Sequence, residues 1–255
     1  DISGNTILDA KTGINVFSHR DNISITSNPQ ITINSNGIAG ISVNGVMSET
    51  GRTEVLDNVI DSEGIFGVLV RSAYYNLTAE NDINLNHTSA SLSYGVMLED
   101  GVFSNIQCND IDGLSPLGQK AISASFSGQS SYYCNSLDES NMGMEFISDC
   151  SGSELKGNKF HNLIDGIVLG MASTPSTIGD QIDPNFAESP GNEFRGSGSG
   201  IFTNSALNSI DSDGTEFWIS GTFPFSLQAG MNVATPINNG STTAFQVVNP
   251  VLTEY

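Results

Sequence analysis

A short pattern, Asn-x-apolar, returns along the chain at a nearly constant interval, and a period of this length constrains the fold more than any other feature. It is plainest in "QCNDID" (107–112) and "YCNSLD" (133–138), 26 residues apart. Further copies are "GNTI" at Asn5, "DNVI" at Asn58, "ENDI" at Asn81, "GNKF" at Asn158 and "GNEF" at Asn192. The member between residues 5 and 58 is "QITI", with Ile31 in the Asn position. The apolar residue two places on gives a column of Ile7, Ile33, Ile60, Ile83, Ile111, Leu137, Phe160 and Phe194, with gaps of 26, 27, 23, 28, 26, 23 and 34 residues.

A second column follows each copy: a small residue, then apolar-x-apolar. It runs Gly13-Ile14, Gly40-Ile41, Gly67-Val68, Gly95-Val96, Ala121-Ile122, Gly143-Met144, Gly166-Ile167 and Gly200-Ile201. A third column, three residues before the Asn position, holds Ile2, Val55, Ile106, Tyr132 and Leu155, and breaks at Asn28, Thr78 and Ser189. Within a unit the alternation has period two, the mark of a strand, and no helical stripe competes with it. Leucine-rich repeats share the spacing but need Leu at several fixed offsets, which this chain lacks.

Two or three short strands per unit, with Gly and Asn at the corners, describe an all-β, right-handed parallel β-helix of about eight coils of 22–28 residues. Equivalent residues then stack ~4.8 Å apart on successive coils. Asn58, Asn81, Asn109, Asn135, Asn158 and Asn192, with Asn5 before them, form an Asn ladder at one corner, where Asn tolerates left-handed backbone angles and bonds its counterparts above and below. Cys108 and Cys134 stack in the same way. A disulfide between them and a pair of free thiols both fit this spacing, and Cys150 is the odd thiol.

The chain carries 28 acidic residues against 8 Lys and Arg, for a net charge of −20. Nucleic acid is excluded as a partner, because phosphate contacts require Lys and Arg. No apolar run reaches the roughly 18 residues a membrane-spanning helix needs, so no membrane insertion is expected. No signal-peptide pattern follows Asp1, so the chain reads as a mature form, an excised fragment or a cytosolic protein. The repeat begins at Asn5, so further coils or a neighbouring chain are expected upstream.

The units resemble the coils of pectin-lyase-like β-helices. The wording of the later ones ("YYCNSLDESNMGMEF", "GNKFHNLIDGIVLG", "TIGDQ…GNEF") is similar to secreted Bacteroidota surface proteins exported by the type IX system. The resemblance covers roughly residues 1–205 and implies an extracellular or cell-surface location.

The domain expectation is a β-helix over 1–210 and a final irregular coil, C-terminal cap or linker over 211–255. The longest interval holds a segment at 170–191 with three prolines, expected to leave the coil as a loop. Asp180 and Asp183 in this loop, and Asp211 and Asp213 in "DSDGTE", are candidate Ca²⁺ ligands. A solvated acidic loop and a polar turn are the plainer readings. "INNGSTTAFQVV" signals a hairpin at Asn239-Gly240.

No catalytic motif of the polygalacturonases, pectate lyases or mannuronan epimerases is present, and no zinc-like spacing. His19, beside Arg20 and Asp21, is a candidate acid/base group, and His161 should face outward after the inward Phe160. The expected function is therefore a structural or adhesive module. It would use glycans, other surface proteins or its own solenoid ends as partners and need no cofactor, with Ca²⁺ the one ion its acidic loops suggest. The alternative is a polysaccharide lyase, hydrolase or epimerase on the same scaffold, since fold alone does not choose between them.

Overall fold

A computed structural model describes residues 1–19, 21–45, 51–87, 92–114, 118–170, 176–178, 192–195 and 199–203, and two short strands at Phe217–Trp218 and Phe245–Gln246 that pair in parallel. Each coil delivers one strand to each of three parallel sheets. The first sheet has seven strands, from Ile2–Ser3 to Glu154–Lys156, and the second has eight, from Thr6–Ala10 to Glu193–Arg195. The third runs from Thr12–His19 to Ser199–Thr203, with Ser176–Thr177 beside Met142–Asp149 off the main path. The chain is an all-β parallel solenoid. Among the described residues, seven coils have all three strands and an eighth has two, slightly fewer complete coils than the period suggests.

The interior is three apolar columns in register. On the third sheet Ile14, Ile41, Val68, Val96, Ile122, Met144, Ile167 and Ile201 stack as the sequence period predicts. Gly precedes seven of these because a Cβ at Gly67 would fall 2.5 Å from Ile83 Cγ2 and 2.7 Å from the Gly95 carbonyl oxygen. Where larger side chains enter the core, smaller ones accommodate them. Ala124 stands in register between Leu98 and Phe146, and Phe146 meets Tyr132 edge-on, with ring centroids 5.1 Å apart. Such a contact adds about 1 kcal/mol to the burial of the two rings.

The second unit departs from the sequence alignment. Ile31, not Ile33, stands between Ile7 and Ile60, and Ile25 fills the third column at Ile2 and Val55. The Asn position belongs to Asn28, whose side-chain nitrogen donates to Asn58 Oδ1 at 2.7 Å while its own Oδ1 accepts from Asn5 at 3.0 Å. Pro29 is one extra residue between the Asn and the strand, and this offset hid Asn28 from a fixed-spacing pattern. The ladder is thus unbroken through Asn5, Asn28, Asn58, Asn81, Asn109, Asn135, Asn158 and Asn192.

The left-handed residue is also not the Asn. Positive φ falls one place earlier, at Gly4, Ser27, Asp57, Glu80, Cys108, Cys134 and Gly157. That turn aims the following Asn inward, where Asn58 to Asn158 are almost completely buried. The 170–191 segment is likewise not wholly outside the solenoid. Ser176 and Thr177 pair with Ser148 and Asp149, and Ile178 is buried in the core. The rest of that segment lies outside the described residues, as does the expected hairpin at Asn239-Gly240.

Candidate functional site

With the interior filled by side chains, chemistry is left to the outer faces and corners. Three arrangements there combine several functional groups.

The first lies on the outer face of the third sheet. Strand alternation stacks Leu69, Met97, Ser123, Glu145 and Val168 outward in one column, with Tyr94 and Lys120 in the column beside it. Lys120 Nζ reaches both Glu145 oxygens at 2.7 and 2.8 Å, and Ser123 Oγ donates to the same carboxylate at 2.9 Å. The ammonium also sits 5.3 Å from the centre of the Tyr94 ring, which stacks on Phe66. The Lys120 and Glu145 side chains are 4% and 2% exposed, so the pair is withdrawn from water. Burial, and then the Glu145 charge, push the Tyr94 phenol up from its ordinary value. The two charges satisfy each other: the ammonium is held by both carboxylate oxygens, and the carboxylate is held by Ser123 as well.

The second is an acidic array on the outer face of the second sheet. Asp61, Asn84, Asp112, Asp138 and His161 stack on successive coils, with Asp82 and Asp110 in the adjacent column. Asn84 donates to Asp61 at 3.1 Å and Asn162 to Asp138 at 2.8 Å, which relieves part of the repulsion. His161 faces outward here, as expected. Burial raises the Asp82 carboxyl above its ordinary 3.8, helped by Asp110 and Asp61. Burial also raises Asp112, with Asp138, Glu139, Asp110 and Asp82 adding to it. A carboxyl raised on folding makes the folded state the better proton acceptor. Stability should therefore fall as pH rises from 3.8 through the folded values of these two groups, and level off above them. Thermal melts between pH 4 and 7 check this. Asp82→Asn/Asp112→Asn should flatten the profile and raise the midpoint at neutral pH by a few degrees.

The third occupies the turns that join the third sheet to the first. Tyr75 and Phe103 stack on neighbouring coils, centroids 5.5 Å apart and planes within 16°. Both are exposed, and both have left-handed backbone, at φ 52° and 56°. Phe126, at φ 50°, is exposed in the same turn of the next coil. Bulky residues rarely adopt this conformation, which costs about 1 kcal/mol or more for an L side chain.

The sequence-level candidates divide. The Asn column is assembled in full. Cys108 and Cys134 are stacked, exposed free thiols, and Cys150 is a buried one. Asp180, Asp183, Asp211 and Asp213 lie outside the described residues, as does the side chain of His19. Among the described residues no three His, Cys, Asp or Glu come together as a metal site. Sequence reasoning did not single out Lys120, Glu145, the acidic array or the aromatic turns. The acidic array was within reach, since Asp61, Asn84, Asp112, Asp138 and His161 each directly follow a residue of the first apolar column, and Asp82 and Asp110 directly precede one.

Together these observations define a parallel β-solenoid with an apolar interior and with clustered polar and aromatic groups on its outer faces and corners. The chain belongs to the family described as "Periplasmic copper-binding protein (NosD)", whose model it matches over residues 1–170. No curated protein and no solved structure matches it. The finer resemblance to type IX-exported Bacteroidota proteins has no support in these comparisons.

Proposed function

We propose that this chain is a periplasmic or cell-surface binding module that holds glycans against the outside of its coils. The observation that carries the reading is the Tyr75–Phe103 pair. Two aromatic rings are held flat, parallel and exposed on a backbone that disfavours them. Strain kept where it contributes little to the core is the pattern of a functional surface. Aromatic faces suit the apolar face of a sugar ring, and Asp100 and Gln129, at neighbouring positions of the same turns, offer acceptors and donors for its hydroxyls. The word "periplasmic" in the family description supports an envelope location.

A polysaccharide-active enzyme is the competing reading, and the Lys120–Glu145 pair is the observation that favours it, because paired acid and base groups are what such chemistry uses. The pair's mutual neutralisation argues against it. The test is incubation with a panel of soluble envelope and plant polysaccharides, with and without Ca²⁺, reading both retardation in affinity gels and release of new chain ends. Retardation without chain cleavage is expected. Turnover abolished by Glu145→Gln would overturn the binding-only reading.

A further inference from the structure

The family description names copper, and the donor set of this chain can be set against that metal. Divalent copper prefers three or four nitrogen and oxygen ligands in a square, and monovalent copper prefers few, soft sulfur ligands. Among the described residues no cluster of three His, Cys, Asp or Glu exists to hold the divalent ion. One soft pair does exist, in the column of left-handed corner residues.

Cys108 and Cys134 occupy equivalent positions on successive coils. Their backbones match, at φ 50° and 45°, so their Cα–Cβ bonds leave the corner in parallel. The flanking register is tight: Gln107 pairs with Tyr133, the Cys108 N–H donates to the Tyr133 carbonyl at 2.8 Å, and Asn109 bonds Asn135 directly behind. Both thiols are exposed, and they hydrogen-bond each other, which with burial pushes Cys108 up to about 11. The next residues of the column are Glu80 on one side and Gly157 on the other. Glu80 adds negative charge beside Cys108, and Gly157 leaves the far side open.

Parallel side chains on adjacent rungs stand ~4.8 Å apart. Disulfide sulfurs lie about 2.05 Å apart and need Cβ atoms about 3.8 Å apart, so an in-register pair must distort to bond. Two thiolates on opposite sides of one ion, at metal–sulfur distances like the ~2.3 Å of zinc thiolates, span a distance close to the rung spacing. We propose that Cys108 and Cys134 form a two-thiolate clamp for a soft monovalent metal ion, Cu⁺, on the outer corner of the solenoid. On binding, each thiol gives its proton to solvent and its sulfur takes up the ion. No electron moves, and the ion must arrive already reduced. Apparent affinity therefore rises with pH, roughly tenfold per unit for each proton released.

The inference rests on the family membership and the cysteine geometry, not on the glycan reading, so either can fail alone. The test is anaerobic titration of the reduced protein with Cu⁺ against a colorimetric Cu⁺ chelator, at pH 6, 7 and 8. Wild type and Cys150→Ser should each take up one ion per chain in competition with the chelator, with affinity rising with pH. Cys108→Ser and Cys134→Ser should each lose at least a hundredfold in affinity while keeping the wild-type thermal midpoint. Equal uptake by all four proteins, or no uptake by wild type, would overturn the proposal. So would rapid closure of a Cys108–Cys134 disulfide in air that leaves only Cys150 reactive to a thiol reagent in denaturant.

Discussion

Asn109→Ala should destabilise the protein by about 4 kcal/mol. Asn109 Oδ1 accepts both the Asn81 backbone N–H, at 3.2 Å, and the Asn81 side-chain amide, at 2.9 Å. Its own amide donates to the Thr78 carbonyl at 3.0 Å and to Asn135 Oδ1 at 3.0 Å. All these groups are buried. Alanine leaves the Asn81 backbone N–H without its partner, removes one of three acceptors from the Asn81 amide, and takes a donor from the Thr78 carbonyl and from Asn135 Oδ1, in a place water does not reach, at about 1–3 kcal/mol for a fully orphaned group and less for each partly satisfied one. The loss is a large part of the 5–15 kcal/mol typical of a domain. Asn109→Asp should be nearly as damaging, because the acceptors remain but both amide donors go and a charge is buried. Urea unfolding curves read the change directly, and a solenoid that loses cooperativity at the broken rung would also show a lower m-value.

Lys120→Met should cost about 3–5 kcal/mol. The substitution preserves much of the apolar stem but leaves the Glu145 carboxylate, 2% exposed, with Ser123 as its remaining hydrogen-bond donor. Adding Glu145→Leu should return stability to within about 2 kcal/mol of wild type, because the buried charge then disappears and only the Ser123 hydroxyl loses its acceptor. The double-mutant cycle would therefore give a coupling energy of several kcal/mol. Additive single substitutions would mean that the pair is hydrated and available, which would revive the enzymatic reading.

How much of this was legible in the sequence depends on the periodicity of each element. The third-sheet column was readable at every position because Gly or Ala followed by an apolar residue recurs with the strand. The second unit was not, since Pro29 adds a residue between Asn28 and Ile31, and a one-residue insertion defeats an alignment by fixed offset. The left-handed angle was placed on Asn because Asn is the non-Gly residue that commonly adopts it. In the coils that angle falls on whatever precedes the Asn, and the Asn is reserved for the ladder. Lys120 and Glu145 were hidden because pairing across coils depends on register. They come from neighbouring coils and from columns three residues apart along the strand, and neither has a sequence neighbour that announces the pair. The aromatic turns escaped notice because exposed Tyr and Phe in a strand-rich chain read as ordinary β formers. Their stacking across coils and their exposure at left-handed turn positions mark them.

The reading of an outer surface made for binding turns on Tyr75 and Phe103. The measurement that tests it most directly compares wild type with Tyr75→Gly/Phe103→Gly, in polysaccharide affinity gels and thermal melts run side by side. Glycine accepts the left-handed angle without strain, so the thermal midpoint should stay within a few degrees of wild type while retardation by the bound polysaccharide is lost. A variant that melts far below wild type yet is retarded as strongly would show that the rings serve the fold, and would contradict the account.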